Sequence, residues 1–309
     1  MKRVFEKYEN NPILKAGMLP AARYVLNPGA VKFRDEYIIM MDVITLAQPV
    51  CFWIARSRDG VNFVPDKEPV NWPKSDPDHP EDCVYDPRIT KIDDDYFICY
   101  ASSNCKYGVR VGIVKTRDFI SYERVSIASE QGNRNAVLFP EKIGGYYVRL
   151  DRPFGSERDT SGIWMSYSPD LVFWGKSKPL LDVREGLWDS LKVGGGPVPI
   201  KTEKGWLTIY HGVSESCNGF MYCLGVCLLD LNDPSKVIAR CEDAILWPEE
   251  EYELKGRVDN VVFACNAIVE DDKTVKIYYG AADTCIGLAT TTIDDLISAC
   301  YSRNIFIFR

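Results

Sequence analysis

Apolar residues in this chain gather in short alternating runs between turns, with little of the three-to-four spacing of an amphipathic helix. DEYIIMMDV, DDYFICYAS, GGYYVRLDR, KGWLTIYHG and TVKIYYGAA begin near residues 35, 94, 144, 204 and 274, each a turn leading into an aromatic or aliphatic strand. After each comes a second pattern: IARSRDGVNFV, IVKTRDFISYE, MSYSPDLVFWG, CLLDLNDPSKV and LATTTIDDLIS. It reads as a strand, a turn built on Asp, and an apolar residue opening an outer edge. Before each lies a further strand: NPGAVKF, YDPRITKI, NAVLFPEKI, GGGPVPIKT and NVVFACNAI. Period-two alternation with turn residues between runs predicts strands throughout. Helix-like stretches such as TIDDLISACY are short.

Five copies at intervals of roughly 50 to 70 residues predict five small antiparallel sheets. Packed radially, four-stranded units keep only short, protected edges. The expected fold is therefore all-β, a five-bladed β-propeller forming one domain over residues 1–309, with its site in the central channel. A pair of β-sandwiches is the alternative, but it does not account for five matched triplets of strands.

Composition narrows the chemistry. The 309 residues are 46% apolar and 26% charged, with a net charge of −7, which argues against a nucleic-acid partner. No run reaches the length of a membrane span, and MKRVFEKYENNPIL lacks the apolar core of a signal peptide, so a cytoplasmic location is expected. The eleven cysteines are odd in number and scattered, with no C-x-x-C pair, and read as reduced core residues. With two histidines, His79 and His211, an imidazole-built zinc site is not expected, nor any other metal or cofactor.

A propeller sets the first strand of each blade against the channel, so residues opening those strands meet in one pocket. Here they are Asn27, Asp86 with Arg88, Arg134 with Asn135, Lys192, and Asn260. Arg152 follows the second strand of the third repeat, Lys192 precedes three glycines that let backbone approach a ligand, and His211 ends a strand of the fourth. Each alone reads as a surface charge or strand-end ion pair. Together at equivalent blade ends they suit an oxyanion, and guanidinium forks suit phosphate. No Walker loop or dinucleotide fingerprint supplies that anion as a nucleotide. Asp86 is the one acid opening a first strand, while Asp42 and Asp283 end second strands. Inverting hydrolysis needs an acid and a base to activate water, whereas phosphate attacks without a base. One acid facing a cationic cluster therefore fits an inverting phosphorylase; the plain alternative is Asp86 pairing with Arg88. Tyr85, Tyr222, Tyr279 and Phe154 lie near these groups and suit the C–H faces of a sugar, although most propeller aromatics pack between blades.

The segments NPGA, YDPRIT, NRNAVLFPEKIGGYYVRLDRP, SLKVGGGPVPIKTEKGWLTIYHGV, LGVCLLDLNDPSKVIAR and NVVFACNA…IYYGAADTCIGLAT resemble glycoside hydrolase family 130, the β-mannoside phosphorylases. The likeness runs from Asn11 to about Thr290. It implies a five-bladed propeller that phosphorolyses a terminal β-mannosidic bond with inversion, giving α-mannose 1-phosphate. It makes Asp86 the general acid, acting through the 3-hydroxyl of the bound mannose. It implies Arg134, Arg152 and Lys192 as phosphate ligands with His211 beside them. Asn135, Tyr222 and Asp283 match sugar-contacting positions, and Asn27, Asp42, Tyr85 and Arg88 complete the expected substrate-binding set. NRNAVLFPEK and HGVSESCNGFMYCLG look more like the β-1,4-mannooligosaccharide enzymes than the β-1,2-mannobiose enzymes. Where some relatives carry Arg near the first blade's ligand strand, MMDVITLAQPV has no basic residue.

The expected partners are thus a β-mannoside oligosaccharide and inorganic phosphate as co-substrate, without nucleic acid or membrane; a homo-oligomer is compatible with the sequence. A hydrolase on the same fold and a glycan-binding propeller without catalysis are the rival readings. Loops at 74–83 and 151–162 are candidates for shaping the acceptor side.

Overall fold

A computed structural model describes residues 3–46, 50–154, 161–217 and 219–302. It forms five antiparallel sheets in a ring, each starting near the axis and running outward. Blade 1 is Ala22–Phe33, Glu36–Thr45, Cys51–Ser57 and Val64–Pro65; blade 2 is Cys83–Ile92, Asp95–Asn104, Gly108–Thr116 and Glu123–Ile127. Blade 3 is Asn133–Leu138, Tyr147–Pro153, Ile163–Ser168 and Gly175–Leu181. In blade 4 the inner Lys192–Gly195 and the short Ile200–Thr202 both pair with Gly205–Ser216, followed by Gly219–Leu229 and Val237–Arg240. Blade 5 is Val262–Val269, Thr274–Ala281 and Cys285–Thr292.

The fifth outer strand departs from the sequence pattern. After Thr292 the chain turns into a helix, Ile293–Tyr301, because the Thr292 side chain accepts from the Asp295 N–H at 3.1 Å and caps it. The outer edge of blade 5 comes instead from the other end of the chain: Glu6–Lys7 pairs with the third strand, Glu6 opposite Thr290. The fully buried Glu253 fastens this closure, accepting from Lys7 Nζ at 2.6 Å, the Tyr279 hydroxyl at 2.8 Å and the Glu249 N–H at 2.9 Å.

Alternation along the strands builds the core between blades. Ile38, Met40, Phe52 and Ile54 of blade 1 pack with Ile89, Ile98 and Tyr100 of blade 2, while Met41, Trp53 and Ala55 on the opposite face meet Tyr278 and Leu288 of blade 5. The Asp turns are built alike: Ser57, Thr116 and Ser168 accept an N–H three residues on, and Asp59, Asp118 and Asp170 accept two more. No helix among the described residues is long and apolar enough to cross a membrane.

Candidate active site

Three inner strands share a bulge that aims one polar side chain each into the channel. In blade 1 Leu26 pairs with Asp42 and Gly29 with Met40, leaving Asn27 and Pro28 outside the ladder. In blade 2 Tyr85 pairs with Ala101 and Arg88 with Cys99, bypassing Asp86 and Pro87; in blade 3 Arg134 and Val137 bracket Asn135 and Ala136 in the same way. Asn27, Asp86 and Asn135 have φ of 43°, 57° and 56°, a left-handed backbone that Asn and Asp tolerate best among residues with a Cβ. Proline is accommodated because the bulged residue has no ladder bond to lose. The inner strands of blades 1 and 2 then touch closely: a Cβ on Gly29 would lie 2.6 Å from the Pro87 carbonyl.

Asp86 sits at the convergence. Asn27 Nδ2 donates to its Oδ1 at 2.7 Å and Asn135 Nδ2 to its Oδ2 at 3.5 Å. Its own N–H donates to both oxygens of Asp42, at 3.1 and 3.0 Å. Burial, and then the charge of Asp86, push the Asp42 carboxyl well above the usual carboxylate range. Burial and Asp86 also raise Asp283, to about 6, against the pull of Arg257, whose Nη1 lies 3.2 Å from its Oδ2.

Across the cavity lie the cations. Arg152 is 3% exposed and its Nη1 stands 3.3 Å from His211 Nε2. A guanidinium only donates, so Nε2 accepts and the imidazole proton sits on Nδ1. Burial first, then the nearby guanidinium groups of Arg152, Arg88 and Arg134, hold His211 far below the usual range, so the ring is neutral. Burial and Arg134 lower Arg152 to about 9, still a cation at neutral pH. The Arg134 guanidinium stacks 4.9 Å from the centre of the Phe154 ring. Arg134 Nε, Arg152 Nε, Asn27 Oδ1 and Asn135 Oδ1 are buried with no hydrogen-bond partner among the described residues. Buried polar atoms are ordinarily paired, so these four mark the wall as built for a polar ligand.

The cavity measures about 360 Å³. Its wall includes ten of the twelve residues expected from sequence: Asn27, Asp42, Tyr85, Asp86, Arg134, Asn135, Arg152, His211, Tyr222 and Asp283. Arg88 and Lys192 are placed elsewhere. Arg88 is 1% exposed and lies beneath the site, donating to the carbonyls of Asp86, Gly195 and Gly196 at 3.0–3.2 Å. It clamps blade 2 to blade 4 and offers no free fork to a sugar. The Lys192 ammonium lies 5.4 Å from the centre of the Phe220 ring, outside the cavity wall. Tyr279 is buried, its hydroxyl on Glu253. The glycines after Lys192 make room for protein rather than ligand: a Cβ on Gly194 would meet His211 Cε1 at 2.4 Å, and one on Gly196 the Ile209 carbonyl at 2.9 Å. Sequence reasoning missed Arg257 and Phe263 in the wall. Arg257 had a signal, since it is a cation shortly before an inner strand, much as Arg134 and Lys192 stand at the openings of theirs. In the 151–162 loop, residues 155–160 lie outside the described residues.

A propeller channel in which Asp86 is cradled by amides, in one cavity with the buried Arg152, the half-buried Arg134 and two tyrosines, has the chemistry to suit a sugar and an oxyanion. The chain belongs to glycoside hydrolase family 130, the β-mannoside phosphorylases: the family model described as beta-1,4-mannooligosaccharide phosphorylase matches residues 4–302. It is 35% identical over 307 residues to the beta-1,4-mannooligosaccharide phosphorylase of Ruminococcus albus, covering 96% of this chain and 90% of that one. It is 40% identical over 244 residues to the beta-1,2-mannobiose phosphorylase of Listeria innocua, covering 79% and 67%. A solved structure of a Listeria innocua beta-1,2-mannobiose phosphorylase, in complex with beta-1,2-mannobiose, superposes with a TM-score of 0.88 at 30% identity, covering 97% and 99%.

Proposed function

We propose that the protein is an inverting phosphorylase of the non-reducing-end β-1,4-mannosidic bond of manno-oligosaccharides, or of mannosyl-glucose or mannosyl-N-acetylglucosamine, releasing α-D-mannose 1-phosphate. The observation that carries this reading is the opposition of Asp86, held by Asn27 and Asn135, to the buried Arg152–His211 pair with Arg134 beside it. In the reaction a phosphate oxygen bonds to the anomeric carbon from the face opposite the leaving oxygen, and the C1–O bond breaks with its electrons on that oxygen. The oxygen takes up the Asp86 proton, directly or through a sugar hydroxyl, and Asp86 is left as a carboxylate. One carboxyl group suffices because phosphate replaces the water that a base would have to activate. Arg134 and Arg152 hold the anion by charge-assisted hydrogen bonds, and neutral His211 fixes the Arg152 fork without adding a competing charge. No cofactor beyond inorganic phosphate enters.

The β-1,4 linkage is favoured by the likeness to the Ruminococcus albus protein over nearly the whole chain; the β-1,2 linkage is the alternative, suggested by the Listeria innocua relative. A panel of β-1,4-mannobiose, β-1,2-mannobiose, mannosyl-glucose and mannosyl-N-acetylglucosamine with phosphate separates them. For the catalytic assignment, Asp86→Asn keeps side-chain size and removes the proton. Loss of the acid lowers kcat about a hundredfold or more. Turnover within a few fold of wild type in that variant would end the assignment.

A further inference from the structure

The contact between blades 2 and 3 breaks a pattern kept by the two contacts before it. Beside the Asp turns, Tyr37 pairs with Ser57, Tyr96 with Thr116 and Tyr147 with Ser168, which sets the blades in a common register. Two residues inward, blade 1 pairs Ile39 with Ala55 and blade 2 pairs Ile98 with Val114; Met41 and Tyr100 follow. All six side chains are buried in apolar clusters shared with the preceding blade. At the same places blade 3 has Arg149 opposite Ser166, and then Asp151.

These three residues are each 2% exposed, and they line a cleft of about 1060 Å³, against about 360 Å³ for the channel cavity. Arg149 is fully engaged: Nε and Nη2 donate to Asp151 Oδ2 at 2.9 and 2.7 Å, and Nη1 donates to the Ala128 carbonyl at 2.7 Å. Along the wall the acids Glu130, Asp151 and Asp182 outnumber the guanidinium groups of Arg110 and Arg149, so an anion is not favoured. Arg110 Nε, a donor, and Asn133 Oδ1, an acceptor, are buried in this wall with no hydrogen-bond partner among the described residues. Buried polar atoms are ordinarily paired, so the wall suits a ligand that both accepts and donates.

Aromatic rings complete the lining, with Tyr107, Phe154, Trp164 and Phe173 all on it. Phe173 is 74% exposed at the third residue after the turn Asp170, a position held by Asn62 in blade 1 and Ser121 in blade 2. An uncharged ligand with donors, acceptors and apolar faces for aromatic rings is an oligosaccharide. Phe154 joins the cleft to the catalytic cavity, because its ring also carries the Arg134 guanidinium. We propose that the cleft between blades 2 and 3 is a second saccharide-binding site, which takes a manno-oligosaccharide chain beside the channel. The oligosaccharide class follows from the cleft; that the sugar is mannose rests on the function proposed above.

The test is calorimetric titration of β-1,4-mannohexaose, in phosphate-free buffer, into the Asp86→Asn protein. It is repeated with Trp164→Ala and Phe173→Asn added, and a thermal melt of each protein verifies folding; Phe154 is left intact because it supports Arg134. Two chains are expected per protein, falling to one when the cleft is altered. A single chain whose affinity falls about tenfold or more in the cleft variant also supports the site, as the far end of a chain held in the channel. Unchanged stoichiometry and affinity overturn the proposal. If the combined variant does not fold, Phe173→Asn alone, which places blade 1's own residue at an exposed position, decides by the same readout. If wild type cleaves no mannoside with phosphate, the mannose reading falls instead. Hexasaccharides of β-1,4-glucose and β-1,4-xylose then join the panel: binding of any that weakens in the cleft variant supports the cleft, and no difference with any of them refutes it.

Discussion

Replacing Arg152 by Lys keeps a cation in the pocket and removes the fork. In the structure Nη1 is directed at His211 Nε2, while Nε has no hydrogen-bond partner among the described residues and is left for an anion. A lysine ammonium has one nitrogen to divide between His211 and phosphate, so one charge-assisted hydrogen bond is lost. Such a bond contributes about 1.5–3 kcal/mol. At about 1.4 kcal/mol per factor of ten, the KM for phosphate rises roughly 10- to 150-fold. The mannoside KM should stay within about threefold, since the two carbonyl-clamping and amide-bonded parts of the site are untouched. Initial rates over a range of phosphate, at saturating β-1,4-mannobiose, measure the effect, and a thermal melt verifies folding. A phosphate KM within twofold of wild type would show that Arg152 does not hold the anion.

Two further outcomes follow from the packing. Gly194→Ala drives a methyl group into the His211 ring, a clash that destabilises by about 1–3 kcal/mol and raises the phosphate KM through Arg152; unchanged melting and phosphate dependence would contradict the contact. Asp283 holds its proton more tightly in the folded chain, at about 6, than the usual 3.8, so its contribution to stability is complete below pH 3.8 and is lost as pH rises through 6. The loss is about 3 kcal/mol at most. Asp283→Asn should therefore raise the melting temperature at pH 8 relative to wild type and leave it nearly level at pH 4; an equal change at both would refute the shift.

Much of this was legible in the chain because propeller blades repeat their chemistry as well as their strands. The triplets marked the blades, and several residues opening inner strands converge, as Asn27, Asp86, Arg134 and Asn135 demonstrate, while Lys192 and Asn260 are not part of the cavity wall. Arg88 eluded that logic for a physical reason. In a regular strand Asp86 and Arg88 would share a face, but the bulge between Tyr85 and Arg88 breaks the period of two, turning Asp86 into the cavity and Arg88 onto the carbonyls of blade 4. Nothing in YDPRIT states that the bulge is there; only the repetition of an Asx residue followed by Pro, in NPGA as well, hints at it. The closing strand was hidden too, because Glu6–Lys7 is two residues long and gains its partner from the far end of the chain. The glycines after Lys192 carried a true signal of close approach, whose object was the His211 ring.

The central claim is that phosphate, held by Arg134 and Arg152, is the nucleophile for a bond whose leaving oxygen is protonated from Asp86. Phosphorus-31 NMR of the protein with β-1,4-mannobiose and limiting phosphate tests it directly. The account predicts loss of inorganic phosphate with equimolar appearance of α-mannose 1-phosphate, and no cleavage when phosphate is left out; steady release of mannose without phosphate, or a β-configured sugar phosphate, would contradict it.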